Sequence, residues 1–112
     1  MKLKFPKSII VGENFFKIEY DPKSVGGGFY YWDEEGKKIG GGKIAIGTKL
    51  LKVSPLDVLG TIIHELKELI NVEQGVRYQI PNSKDTYEFH YNHTQHSDMC
   101  SRLTGLLSLF IQ

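Results

Sequence analysis

Near residue 54 the chain changes its hydrophobic period: apolar residues alternate before it and recur at spacings of three and four after it. Alternation marks a strand with one buried face, and the longer spacing marks an amphipathic helix. The two halves together predict an α+β fold, with a small N-terminal antiparallel sheet packed on two helices.

Strand signals run from Ser8 to Gly47. "SIIV" leads into a Gly12-Glu13-Asn14 turn, after which Phe16, Ile18 and Tyr20 alternate with Lys17 and Glu19. This predicts a hairpin with one buried face. Gly26-Gly27-Gly28 and Gly40-Gly41-Gly42 read as mobile loops around two further strand candidates, "FYYW" and "KIAIG", the latter with Ile44 and Ile46 on one face. Neither glycine run has the Gly-Lys-Ser/Thr ending and following helix of a phosphate-binding loop, so nucleotide binding is discarded. Tyr30, Tyr31 and Trp32 suit a substrate or partner surface and suit the packing of a small sheet equally well.

Two helices dominate the remainder. Ser54 is placed as an N-cap, Pro55 suits the first helical position and Asp57 favours the positive end of the helix dipole. Leu59, Ile62, Ile63, Leu66, Leu69 and Ile70 follow in helical spacing, and Gly75 supplies a stop, so a helix is expected over Pro55 to Glu73. Val76, Tyr78 and Ile80 alternate, "PNSKD" turns the chain, and Tyr87, Phe89 and Tyr91 alternate again with one buried face. A second helix is expected from about Thr94 to Phe110, carrying Met99, Leu103, Leu106, Leu107 and Phe110.

Composition narrows the functional classes. A chain of 112 residues with 40% hydrophobic content predicts one domain, residues 1–112, burying roughly 60 to 70% of its unfolded surface. A formal net charge of +1 favours neither nucleic acid nor an anionic membrane as partner. The lone Cys100 has no intramolecular disulfide partner, and "MKLKFPKSII", interrupted by Pro6 and Lys7, reads as mature chain rather than as a signal peptide. With no apolar stretch of about 20 residues, a cytoplasmic, soluble protein is the expectation.

The chemistry centres on "TIIHELKELI", residues 61–70. His64 and Glu68 lie one turn apart on a helix face, with Glu65 beside His64 at the edge of that face. Zinc accepts imidazole nitrogen and carboxylate oxygen, and a catalytic zinc site typically takes three protein ligands and a water. The third ligand must come from the remaining histidines, His90, His93 and His96, clustered just before and inside the second helix. His90, flanked by aromatics in the alternating run, is expected to point away from the face they bury and ranks last. His93 and His96 share a helix face if Asn92 caps that helix. The resulting set is His64, Glu68 and His93, with His96 as the alternative third ligand and Glu65 as general base. His96, Tyr78, Tyr87 or Tyr91 is available for an oxyanion.

These segments, together with the early "FPKSIIVGENFFKIEY", the "KIAIG" strand and the late "FHYNHTQHSDMCSRLTGLL", resemble a family of small zincin-like metallopeptidase-type proteins often encoded by bacteriophages and other mobile elements. The resemblance covers most of the chain. Its metal pattern is H-E-x-x-E with a later histidine, which falls on His64, Glu65, Glu68 and His93; at His96 such relatives commonly look apolar. It implies a zincin-like fold, a Zn2+ site and a peptide or protein substrate, and it identifies no particular substrate or oligomeric state.

Plainer readings stand beside this one. His64, Glu65, Lys67 and Glu68 are also what an ordinary charged helix face looks like, and a zincin-like protein can keep a structural metal and lose turnover. Cys100, one turn from His96, reads as a buried thiol packing as a small hydrophobe, with a His93/His96/Cys100 zinc set as its alternative. If "KIAIG" is an exposed edge, an extended peptide could pair with it and lie across the metal.

Overall fold

In a computed structural model of the chain, residues 2–81 and 86–112 are described. The order of elements is β1 (Ser8–Val11), β2 (Asn14–Asp21), β3 (Gly27–Glu34), β4 (Lys37–Gly47), α1 (Pro55–Glu73), β5 (Arg77–Gln79), β6 (Tyr87–Phe89) and α2 (His93–Leu107). The class is α+β: a four-stranded, antiparallel-rich sheet and two helices, with β5 and β6 forming a separate small hairpin. The turn expected within "PNSKD" falls largely on residues 82–85, outside the described residues.

The sheet order is β1-β2-β4-β3, and β2 pairs with β4 in parallel while the two outer pairings are antiparallel. After β2 the chain therefore passes to the far edge, lays down β3, and returns along β4 through the middle. The condition raised for "KIAIG", that it be an exposed edge, is not met: Ile44 to Gly47 lie between β2 and β3, and the free edge beside α1 is β3.

Apart from Gly26, which turns the chain into β3, the glycine runs are strand rather than loop. Gly27 and Gly28 lie in β3, and Gly40 to Gly42 lie in β4. Close backbone approach explains the second run, since a side chain at Gly41 would collide with the Phe15 carbonyl and one at Gly42 with the Tyr30 carbonyl. Only glycine lets β4 pass between both neighbours there.

One face of the sheet supplies Ile9, Val11, Phe16, Ile18, Ile44 and Ile46 to the core, as the alternation predicts, and α1 covers it with Val58, Ile62, Leu66, Leu69 and Ile70. Met99 and Phe110 bring α2 and the segment after it against the same cluster. Leu69 is fully buried, and truncating such a residue to alanine typically costs about 2–5 kcal/mol. The helix ends follow their caps unequally. Pro55 opens α1 behind Ser54, but the Ser54 side chain makes no capping bond. At α2, Asn92 Oδ1 accepts from Gln95 N at 2.9 Å and Asn92 N donates to Gln95 Oε1 at 2.9 Å, a complete capping box. Gly75, at φ 71°, turns the chain out of α1 as expected.

Candidate metal centre

The face of α1 opposite its core stripe carries the chemistry. His64 and Glu68, four residues apart, present Nε2 and Oε2 at 3.3 Å, and Glu65 Oε1 lies 3.9 Å from the same His64 nitrogen. One ligand atom from each of the three residues falls within 4.8 Å of the others, the one such metal-competent group among the described residues. A nitrogen and two carboxylates, one turn of helix apart, suit the donor preference of zinc and related divalent ions.

The three are not equivalent. The His64 side chain is 70% exposed, whereas Glu65 is 5% exposed. Glu65 is buried because β3 presents Gly27 to it: a Cβ there would sit 3.2 Å from Glu65 Cγ and 3.3 Å from Thr61 Cγ2. Burial raises the Glu65 carboxyl above the ordinary glutamate range, the charge of Glu68 adds to that, and His64 opposes it.

Glu68 is held from its other side. Arg77, the first residue of β5, donates from Nη1 to Glu68 Oε1 at 2.7 Å, leaving Oε2 toward His64. The guanidinium lies over the Tyr87 ring at 4.2 Å and the Phe29 ring at 5.5 Å, so β6 and β3 fix its position.

Two hollows meet at His64. An open groove of about 480 Å³ runs along Gly26, Gly27, Asp57, Gly60, Thr61, His64 and Glu65, between the β3 edge and the first half of α1. A smaller cavity of about 180 Å³ lies on the other flank, lined by His64, Lys67, Glu68, Asn71, Phe89 and Tyr91. Contrary to the expectation from sequence, the alternation of Tyr87, Phe89 and Tyr91 buries no core face; all three are exposed, and the latter two wall this cavity.

The later histidines stand outside the three-residue group. His93 is the first residue of α2, exposed, two positions beyond the cavity residue Tyr91. His96 stacks on Tyr91, with ring centroids 5.7 Å apart, and its Nε2 is 3.8 Å from Cys100 Sγ. His90 pairs with Glu88 at 2.8 Å and meets Tyr78 edge-on. Cys100 is exposed, not the buried thiol expected, because the α2 stripe that reaches the core passes through Met99 instead. Of the tyrosines offered for an oxyanion, Tyr91 shares a cavity with His64, while Tyr87 is stacked under Arg77.

Three site residues escape the sequence reading. Asn71 continues the spacing of His64 and Glu68 by a further three residues, a signal present in the chain but masked by the apolar run around it. Arg77 and Gly27 carry no local signal, since each acquires its role from a segment distant in sequence.

Compared with protein-family models, with curated proteins and with solved structures, the chain matches none. Among the described residues no helix is long and apolar enough to cross a membrane.

Proposed function

We propose that the protein is a zinc-dependent hydrolase of the metallopeptidase type, with a zincin-like arrangement of helix and edge strand. The observation that carries the reading is the grouping of His64, Glu65 and Glu68 with Glu65 buried against a groove-lining glycine. His64 Nε2 and Glu68 Oε2 would hold the metal, with His93 at the start of α2 as the proposed third ligand and His96 as its alternative. A divalent ion held by these residues would supply polarisation of a substrate carbonyl and a water with a pKa lowered to about 7. Glu65 takes the proton of the attacking water as the carbon–oxygen bond forms and delivers it to the departing amine as the carbon–nitrogen bond breaks. Tyr91 is the proposed donor to the oxyanion. An extended peptide lies in the groove as an added strand on the β3 edge, with its carbonyls passing His64. The chain acts in the cytoplasm on a peptide or protein, without nucleic acid.

One observation favours a second reading, a zincin-like binding or regulatory protein whose metal is structural. Glu68 is already engaged by Arg77, and no later histidine joins the group.

Metal content of untagged protein, measured alongside His64→Ala and Glu65→Gln, tests both. The hydrolase reading expects about one zinc per chain, lost in His64→Ala and kept in Glu65→Gln, with peptide cleavage falling about 10²–10⁴-fold in the latter. Zinc retained with no cleavage in wild type supports the structural reading. Absence of zinc from wild type even after supplementation removes both.

A further inference from the structure

The sheet has a second free edge, β1, opposite the β3 edge that borders the groove. Among the described residues β1 pairs with β2 alone, and Ile18 N donates to Lys7 O at 2.8 Å. Antiparallel bonding alternates along a strand, so Lys7, Ile9 and Val11 bond toward β2 while Ser8 and Ile10 turn their N–H and C=O groups to the open side. Native edges are blunted by a charge, a proline or a bulge. Ser8-Ile9-Ile10-Val11 has none of these: its register with β2 is regular, and Ile10 is 66% exposed beside its cross-strand neighbour Phe15, itself exposed.

Helix α2 leaves the same edge open. Ile10, Val11 and Gly12 line a hollow of about 360 Å³ together with Arg102, Gly105 and Leu106. Gly105 lies inside α2, where glycine costs about 1 kcal/mol relative to alanine, yet a Cβ there would meet nothing within 4 Å. No contact among the described residues calls for a glycine at that position.

The edge is complementary to itself. Twofold symmetry sets a strand antiparallel to its own copy, and the outward groups of Ser8 and Ile10 allow only registers in which even-numbered residues oppose even-numbered ones. Centred on Ile10, the register sets Ile10 opposite Ile10 of the partner, Ser8 opposite the partner's Gly12, and exposed Lys7 beside the partner's exposed Glu13, twice over. Neither Lys7 nor Glu13 has an ion pair among the described residues. Phe15 and Ile10 of both protomers then form one apolar row across four strands. Registers centred on Ile9 or Ser8 match neither the charges nor the row. An unrelated strand would satisfy the backbone groups without matching these ends.

We infer that β1 is a homodimer edge: two copies of the chain pair through β1 about a twofold axis at Ile10, joining their four-stranded sheets into one of eight strands. The two hollows then adjoin, and Gly105 leaves room for α2 of one protomer to approach its partner. The dimer depends on neither metal nor turnover.

Sedimentation equilibrium of untagged protein up to about 500 µM tests this, a range suited to the weak association of an interface smaller than the standard ~1,600 Å². Wild type should rise from the mass of one chain toward that of two. Ile10→Lys, at an exposed position, should stay at one. Lys7→Glu should weaken association about fivefold by setting like charges at both ends of the pairing, and combining Lys7→Glu with Glu13→Lys should restore it. In a Cys100→Ser background, Ile10→Cys should oxidise to a linked dimer, because residues opposed in a hydrogen-bonded antiparallel pair have Cα atoms about 5.5 Å apart, within disulfide reach. Ser8→Cys, opposite the partner's Gly12, should not. A wild type that stays at one chain's mass, association that survives Ile10→Lys, no recovery in the double variant, or readier crosslinking through Ser8→Cys overturns the β1 dimer.

Discussion

Arg77 and Glu68, nine residues apart and on different elements, share a 2.7 Å bond that occupies one carboxylate oxygen and leaves the other 3.3 Å from His64 Nε2. For the proposed metal, the pairing would leave Glu68 one free oxygen in a set orientation. Outer partners of this kind commonly tune metal affinity as strongly as they tune geometry.

Removing that partner should loosen the metal. Arg77→Met is expected to weaken zinc binding about 10- to 100-fold without unfolding the chain, as measured by competition with a chromophoric chelator. Tighter zinc binding in the variant would mean that Arg77 competes with the metal for Glu68.

Glu65 carries a cost to folding that follows from its burial. Its pKa is raised in the folded chain, so the folded state holds the proton more tightly than the unfolded state does. The destabilisation is complete above the folded-state pKa and vanishes below the unfolded value of about 4.3. Glu65→Gln, metal-free, should therefore melt at a higher temperature than wild type near pH 7.5, and the two should converge as pH falls to about 4. A lower melting temperature for the variant at pH 7.5 would show that the ionised carboxylate is stabilising instead.

The seat of Glu65 depends on an absent side chain. A Cβ at Gly27 would lie 2.5 Å from the Ala45 carbonyl oxygen and 3.2 Å from Glu65 Cγ, whereas one at Gly28 would meet nothing within 4 Å. Gly27→Ala should destabilise by about 1–3 kcal/mol and reduce cleavage; Gly28→Ala should do neither. Urea unfolding of the pair checks the contrast, and equal effects would remove the close packing of β3 on α1.

The two helix starts give a matched comparison. Asn92→Ala removes the Oδ1 acceptor of the α2 capping box, leaving the residue-92 N–H free to donate to Gln95 Oε1, and should cost about 1 kcal/mol, while Ser54→Ala, which removes no capping bond, should stay within about 0.5 kcal/mol of wild type. Denaturant midpoints measure both. A loss at Ser54 as large as that at Asn92 would mean that the serine caps α1 in solution.

Local patterns were legible where the physics is local. The bounds of α1 follow from Ser54-Pro55, the apolar stripe and Gly75, and the β1–β2 hairpin follows from the alternation about Gly12-Glu13. The spacing of His64, Glu65 and Glu68 placed their donors together because a helix turn is a fixed geometry. The glycine runs misled, since glycine serves loops and close strand contacts alike, and only the neighbouring backbones distinguish them.

What the sequence determined by itself, then, is the type of most elements, the buried faces of β1, β2, β4 and α1, and the one-turn cluster on α1. Tertiary structure decided which strand lies at the edge, that Gly27 seats Glu65, that Arg77 takes one oxygen of Glu68, and that Cys100 faces outward. The physical reason is that periodicity states which face of an element is buried but not which neighbour covers it. The neighbour is chosen by the packing of the whole core, through contacts between residues far apart in the chain.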